Sequence, residues 1–116
     1  QAYFAVYSSE EQVVAVRQNA DLIKKLKPYD VTVTAKSEKY DFVSRYFWPA
    51  KGGLEDPDTG SIHTGLEPFW SKPLGKLELR AYQASERGGE LLCRVDGDRV
   101  IILGNAVKYL TGSIEV

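Results

Sequence analysis

The sequence predicts an α+β domain, a mostly antiparallel sheet wrapping at least one helix, and three features carry that reading. Stretches of period-two alternation recur, most densely after residue 75. Tight-turn words join them, above all Asp96-Gly97-Asp98. One helical pattern, opening at Ser61, carries an apolar face wide enough to be enclosed by a sheet. At 116 residues the chain has room for one domain with its own core, and positions 1–116 are read as that single unit.

Taken in order, Ala2 to Tyr7 (AYFAVY) is β-branched or aromatic and predicts a buried strand. Ser8 with Glu11 and Ser9 with Gln12 form two overlapping capping boxes for a helix carrying Val13, Val14 and Val16. That helix is expected to break near Asn19. Asp21 then caps a second short helix whose Leu22, Ile23 and Leu26 share a face, and Pro28 ends it. Asp30 to Ala35 alternates cleanly and Tyr40 to Phe47 less so, and both predict strands. A long loop follows, with Pro49, Gly52, Gly53, Pro57 and Gly60 excluding regular structure. From Ser61, the positions Ile62, Leu66, Phe69 and Trp70 fall at i, i+4, i+7 and i+8, with Pro68 expected to bend or loosen one turn. Beyond Pro73 and Gly75, strands are expected over Lys76 to Ala84, Glu90 to Val95 and Arg99 to Leu103, with short segments on to Val116. Arg87-Gly88-Gly89 calls for positive φ or close backbone approach.

Composition excludes several classes of function. Fifteen basic residues oppose sixteen acidic ones without blocks of either sign, so nothing marks a nucleic-acid or anionic-membrane surface. The apolar runs are too short to span a bilayer, and no signal-peptide pattern opens the chain. Cys93, the lone cysteine, excludes an internal disulfide, fits a cytoplasmic location and reads as a small buried residue. With one cysteine and one histidine, no zinc site is expected. The chain contains no methionine, which points to a piece of a longer protein; removal of an initiator or of a tag scar is the alternative.

The stretch EDPDTGSIH, Glu55 to His63, is where chemistry is most expected. Asp56 precedes Pro57, so its backbone is pushed to an extended conformation and its carboxylate is presented from a fixed segment. Thr59-Gly60-Ser61 stands at a helix start, where unpaired N–H groups and the helix dipole favour an anion, and Gly60 lets a ligand approach the backbone. An acid-base group beside an anion clamp is the minimum needed to move a proton on a small acid. The bland alternative is that Thr59 or Ser61 caps the helix and Asp56 bonds its own turn. His63 and Glu67, at i and i+4, are placed to pair, and a lone histidine in a first turn reads as a structural hydrogen-bonder before a general base. Arg45 and Arg87 read as ion-pair partners ahead of substrate ligands.

Four words in this order, YDFVSRYFWP, EDPDTGSIH, FWSKPLGK and QASERGGE, resemble the C-terminal half of the phenazine-biosynthesis-like (PhzF-type) isomerases. The opening YFAVYSSEEQVVAVRQNADLIKKL is similar to the strand and helices that begin that half. The resemblance implies a fold similar to diaminopimelate epimerase: two lobes, each wrapping an antiparallel, barrel-like sheet around a central helix, with the active site between them. It implies a cofactor-independent, metal-free isomerase that shifts a proton on a small carboxylic acid, the main acid-base glutamate lying on the other lobe. By that resemblance Asp56 and Ser61 are catalytic, and Thr59, Gly60, Ser61 and His63 bind or shape the substrate site. Asp58 replaces the small apolar residue usual in that motif and, were the segment extended, would share a face with Asp56. Ile62 replaces a common alanine and is expected to narrow the pocket. The glutamate-bearing lobe is absent from these residues, so partners are expected to be that lobe and a second copy of the chain. A non-catalytic module that binds small acids or proteins on the same fold is the competing expectation.

Overall fold

A computed structural model describes residues 2–104 and 111–115. Strand β1 (Ala2–Val6) leads through helices α1 (Glu10–Ala15) and α2 (Ala20–Lys24) to β2 (Asp30–Lys36) and β3 (Phe42–Phe47). A 3₁₀ turn at Pro49–Lys51 and the two-residue strand β4 (Glu55–Asp56) precede α3 (His63–Leu74). Strands β5 (Glu78–Gln83), β6 (Gly89–Asp96) and β7 (Arg99–Gly104) follow. Strand segments expected beyond that point fall partly on residues 105–110 and 116, outside the described residues.

The strands form one sheet in the order β1-β2-β3-β5-β6-β7, with β4 attached to β3. Four neighbouring pairs are antiparallel, while β1–β2 and β3–β5 are parallel. The sheet is therefore mixed with an antiparallel majority, and each parallel pair is joined by a helical crossover, as parallel strands require. Barrel-like closure does not occur among the described residues, because the order ends on β1 and β7 rather than pairing them. The reason lies in the crossovers, which put helices on both faces and leave the sheet as a layer between them.

On one face, Val13 of α1 packs with Val33, Ala35, Val43 and Phe47. On the other, Ile62, Leu66 and Trp70 of the α3 segment pack with Phe42, Tyr46, Leu79, Ala81, Leu91 and Cys93. Alternation along β3 does the sorting: Phe42 and Tyr46 go to the α3 side, Val43 and Phe47 to the α1 side. The Trp70 indole N–H donates to Thr34 Oγ1 at 3.0 Å, tying α3 to β2 beyond Pro68. Helix α3 continues through Pro68 and Pro73, held by this packing. Cys93 is fully buried, and burial pushes its thiol up to about 12. It is an inert core residue at neutral pH.

Several local expectations change. Ser9 caps α1 by accepting from Gln12 N–H at 3.2 Å, but the Gln12 side chain returns to Ser8, whose N–H and hydroxyl both donate to it. Asn19 rather than Asp21 caps α2, its Oδ1 accepting from Leu22 N–H at 3.1 Å. Asn19 has the extended backbone a cap needs, which leaves Asp21 in the first turn, where its charge suits the helix dipole. Of the α2 apolar face only Ile23 packs against the core, while Leu22 and Leu26 are exposed. Helix α3 begins at His63 after a turn at Ser61, and its cap, Ile62, offers no side-chain bond, so neither Thr59 nor Ser61 caps it. Phe69 is exposed, edge-on to Phe4 and Trp70. The β6–β7 hairpin turns at Gly97 with φ 62°, the glycine-first arrangement of a II′ turn.

Candidate active site

The site arises from a division of one strand edge. The edge of β3 away from β2 is shared: β5 pairs with Phe42 to Ser44, and β4 with Tyr46 and Phe47. Asp56, opposite Tyr46 on β4, is thereby set beside the end of β5, where Gln83 stands opposite Ser44. Gln83 is fully buried and grips the loop between them. Its Oε1 accepts from Thr59 N–H at 2.7 Å, and its Nε2 donates to Asp56 O at 2.9 Å and Thr59 Oγ1 at 3.0 Å. Ser85 adds a bond to Pro57 O at 2.7 Å. The stiffness expected from the Asp-Pro step is thus reinforced from the neighbouring strand.

Within the loop, Thr59 Oγ1 donates to Asp56 Oδ2 at 2.7 Å, and Asp58 N–H lies 3.4 Å from Asp56 Oδ1. Asp56 does bond its own turn, and it also stays half-buried on the wall of a crevice of about 420 Å³. That crevice is lined by Asp30, Tyr46, Trp48, Lys51, Asp56, Thr59 and Ser61. Gly60 is exposed beside it, and a Cβ built there meets nothing within 4 Å. Three of the expected site residues, Asp56, Thr59 and Ser61, therefore share one cavity, with Gly60 at the adjoining turn.

His63 lies elsewhere. It is fully buried beneath the loop and absent from the crevice wall, with Nδ1 2.8 Å from Thr59 O. A carbonyl accepts, so Nδ1 carries the proton, and Nε2 of the neutral ring has no hydrogen-bond partner among the described residues. Burial holds the ring below the usual histidine range, against the opposing effects of the Thr59 bond and Asp58. The expected pair with Glu67 is not a hydrogen bond: Glu67 is fully buried, with neither carboxyl oxygen partnered among the described residues. Burial, with a smaller push from Asp41, raises Glu67 to about 7.

The two departures from the motif also resolve. The extended segment ends at Asp56, and Asp58 turns to Arg87, 3.9 Å away, and to the backbone of Gly89. A Cβ on Gly89 would stand 2.6 Å from Asp58 Cγ, which is the close approach expected of that glycine pair, while Gly88 takes the positive φ of 77°. Ile62 is buried in the α3 core and does not line the crevice. Arg45 is structural: its guanidinium makes two bonds to Glu55 and reaches the Val13, Val14 and Val16 carbonyls at the end of α1. No cluster of three or more His, Cys, Asp or Glu is placed to hold a metal among the described residues.

No local signal in the sequence marks Gln83, Lys51, Asp30 or Tyr46 as part of the site. Gln83 stood inside QASERGGE, but nothing in one chain links it to a loop 24 positions away. Lys51 and Asp30 are ordinary loop and strand-start residues until the fold brings them together.

A mixed open sheet with helices on both faces and an Asp-Pro-x-Thr-Gly-Ser loop at the mouth of α3 is the arrangement to compare with the phenazine-biosynthesis-like proteins. A family model described as "Phenazine biosynthesis-like protein" (PhzC-PhzF) matches residues 1–112, and the chain belongs to that family. It is similar to an uncharacterized isomerase of Pseudomonas aeruginosa, 43% identical over 114 residues that make 98% of this chain and 44% of the relative. Among solved structures, a putative phenazine biosynthesis PhzC/PhzF protein from Clostridium difficile superposes with a TM-score of 0.87 at 38% identity, over 97% of this chain and 44% of that one. A PhzF-family protein from Enterococcus faecalis gives 0.82 at 44% identity, over 85% and 38%. The chain thus spans less than half the length of these relatives.

Proposed function

We propose that this chain is the carboxylate-gripping lobe of a cofactor-independent isomerase, completed by a second lobe. Supporting this are the membership of the family, the relative named as an isomerase and, above all, one crevice shared by Asp56, Thr59 and Ser61 at the mouth of α3. The amides and hydroxyl at Gly60 and Ser61 hold the carboxylate of a small acid, and charge building on it in the transition state is stabilised there. Asp56 is the auxiliary acid-base group: as acid it delivers a proton to a carbon near the bound carboxylate. A C–H bond breaks as O–H forms, and reprotonation at another carbon, or on the other face, moves a double bond or inverts a centre. A glutamate of the second lobe is the main acid-base group and, as carboxylate, takes the proton that leaves carbon. His63 is a positioning residue, fixing Thr59 from below. The second lobe is supplied in the cytoplasm by the same chain or another, and association of copies brings lobes together.

One observation favours a second reading, a module that binds small acids without turning them over: the Asp56 carboxylate is already engaged by Thr59 and Asp58 of its own turn. The two are separated by deuterium incorporation from D₂O into a panel of unsaturated and α-chiral small acids, using the full natural chain. The isomerase reading expects incorporation that falls by about a hundredfold or more in Asp56→Asn, the scale of a lost general acid-base group. Incorporation equal in the two proteins, or binding with none in either, overturns it.

A further inference from the structure

The crevice has a second polar wall that the proposed chemistry does not use. Asp30 opens β2 with its side chain only 1% exposed. Its Oδ2 accepts from Lys51 Nζ at 2.9 Å and from the Tyr46 hydroxyl, while Oδ1 has no hydrogen-bond partner among the described residues. A buried carboxylate is costly unless paired, so Asp30 fixes Lys51 by more than an ordinary surface attraction. Lys51 itself stays about half exposed, its side chain at 51%. It stands at the end of the Pro49–Lys51 turn, whose first residue has a preset φ. Asp30, Tyr46 and Lys51 all line the cavity that holds Asp56, Thr59 and Ser61.

An ammonium has three donors, and Asp30 accounts for one of those of Lys51. We propose that Lys51, held by the Asp30 carboxylate that Tyr46 also bonds, is a specificity-determining residue that donates to a second oxygen of the substrate, away from the carboxylate gripped at Gly60 and Ser61. The acid taken by this site carries an acceptor oxygen, as a ketone or as a second carboxylate. This rests on the proposed carboxylate grip and deepens it. The local charges favour a ketone: Asp56 and Asp30 give the wall two negative charges against the one positive charge of Lys51, so a second anion meets a net negative surface. The plain alternative is that Lys51 serves only to neutralise Asp30.

Three saturated acids of one chain length separate these readings: pentanoate, 4-oxopentanoate and glutarate. Their affinities are measured by amide-shift titration of the full natural chain, for wild type, Lys51→Met and Asp30→Asn/Lys51→Met. The double variant removes the buried charge with its partner and keeps the test open should Lys51→Met fail to fold. Expected is binding of 4-oxopentanoate about tenfold or more tighter than pentanoate in wild type, the scale of one hydrogen bond to a charged group. In both variants that ratio falls to within about twofold while pentanoate affinity holds. A preference for glutarate over 4-oxopentanoate, lost in the variants, identifies the acceptor as a carboxylate and keeps Lys51 as its reader. Equal wild-type binding of all three, or a preference that survives both variants, overturns the role of Lys51 and leaves the carboxylate grip standing. No binding of any of the three overturns the grip as well.

Discussion

Gln83 holds the candidate site in shape at the level of single atoms. Both ends of its amide are used on the Asp56 loop, and all three bonds are buried or nearly so. Gln83→Leu keeps roughly the volume but strands the Thr59 N–H and the Asp56 carbonyl, at about 1–3 kcal/mol for each unsatisfied group. The variant is expected to lose about 2–6 kcal/mol in a urea titration, with faster amide exchange at Thr59 than in the wild type. A change below about 0.5 kcal/mol would show that water replaces the amide without loss. Local residues of the site were legible because their reasons are local. Asp56 is set by the proline after it, and Thr59, Gly60 and Ser61 by turn chemistry. Gln83 and Lys51 act on residues 24 and 21 positions away, and no rule of spacing reaches that far.

Helix α3 shows the same contrast between pattern and exception. Ile62, Leu66 and Trp70 fall on its buried face as their spacing requires, yet Phe69 is exposed and Glu67 is buried. Periodicity could not place a buried carboxyl, because it sorts residues by hydropathy and Glu67 breaks that order. The consequence is a pH dependence with a definite sign. Glu67 is raised to about 7 in the fold from an ordinary value of 4.5, so the folded state holds the proton more tightly. Its contribution to stability is present below 4.5 and is lost as pH rises through 7. His63 runs the other way: held below its ordinary 6.5, it contributes above that value and loses its contribution as pH falls. Glu67→Gln copies the protonated acid, so it should match wild type near pH 4 and exceed it at pH 8 by about 1–3 kcal/mol. Urea titrations at pH 4, 6 and 8 check this, and parallel curves for the two proteins would refute a proton on Glu67.

At the level of the whole molecule, the α+β class and most strands followed from alternation and turn words, whereas strand direction and closure did not. Direction depends on which way each crossover returns: β1 meets β2 in parallel across α1 and α2, and β3 meets β5 in parallel across α3. Those crossovers also leave the sheet open, with β1 and β7 as edges among the described residues. The division of the β3 edge between β4 and β5 then sets Asp56 against Gln83 and puts the mouth of α3 beside both. Gly60 offers the cleanest probe of whether that mouth takes an anion. Its φ lies outside the left-handed region, and a Cβ would meet nothing within 4 Å, so Gly60→Ala leaves the fold intact while placing a methyl where a ligand must approach. The decisive measurement is pentanoate affinity, with amide-shift mapping, for wild type and Gly60→Ala in the full natural chain. Carboxylate capture at this turn predicts shifts centred on residues 59–62, an unchanged melting temperature and affinity about tenfold or more weaker in the variant. Equal affinity in both proteins, with the shifts centred elsewhere, would contradict it.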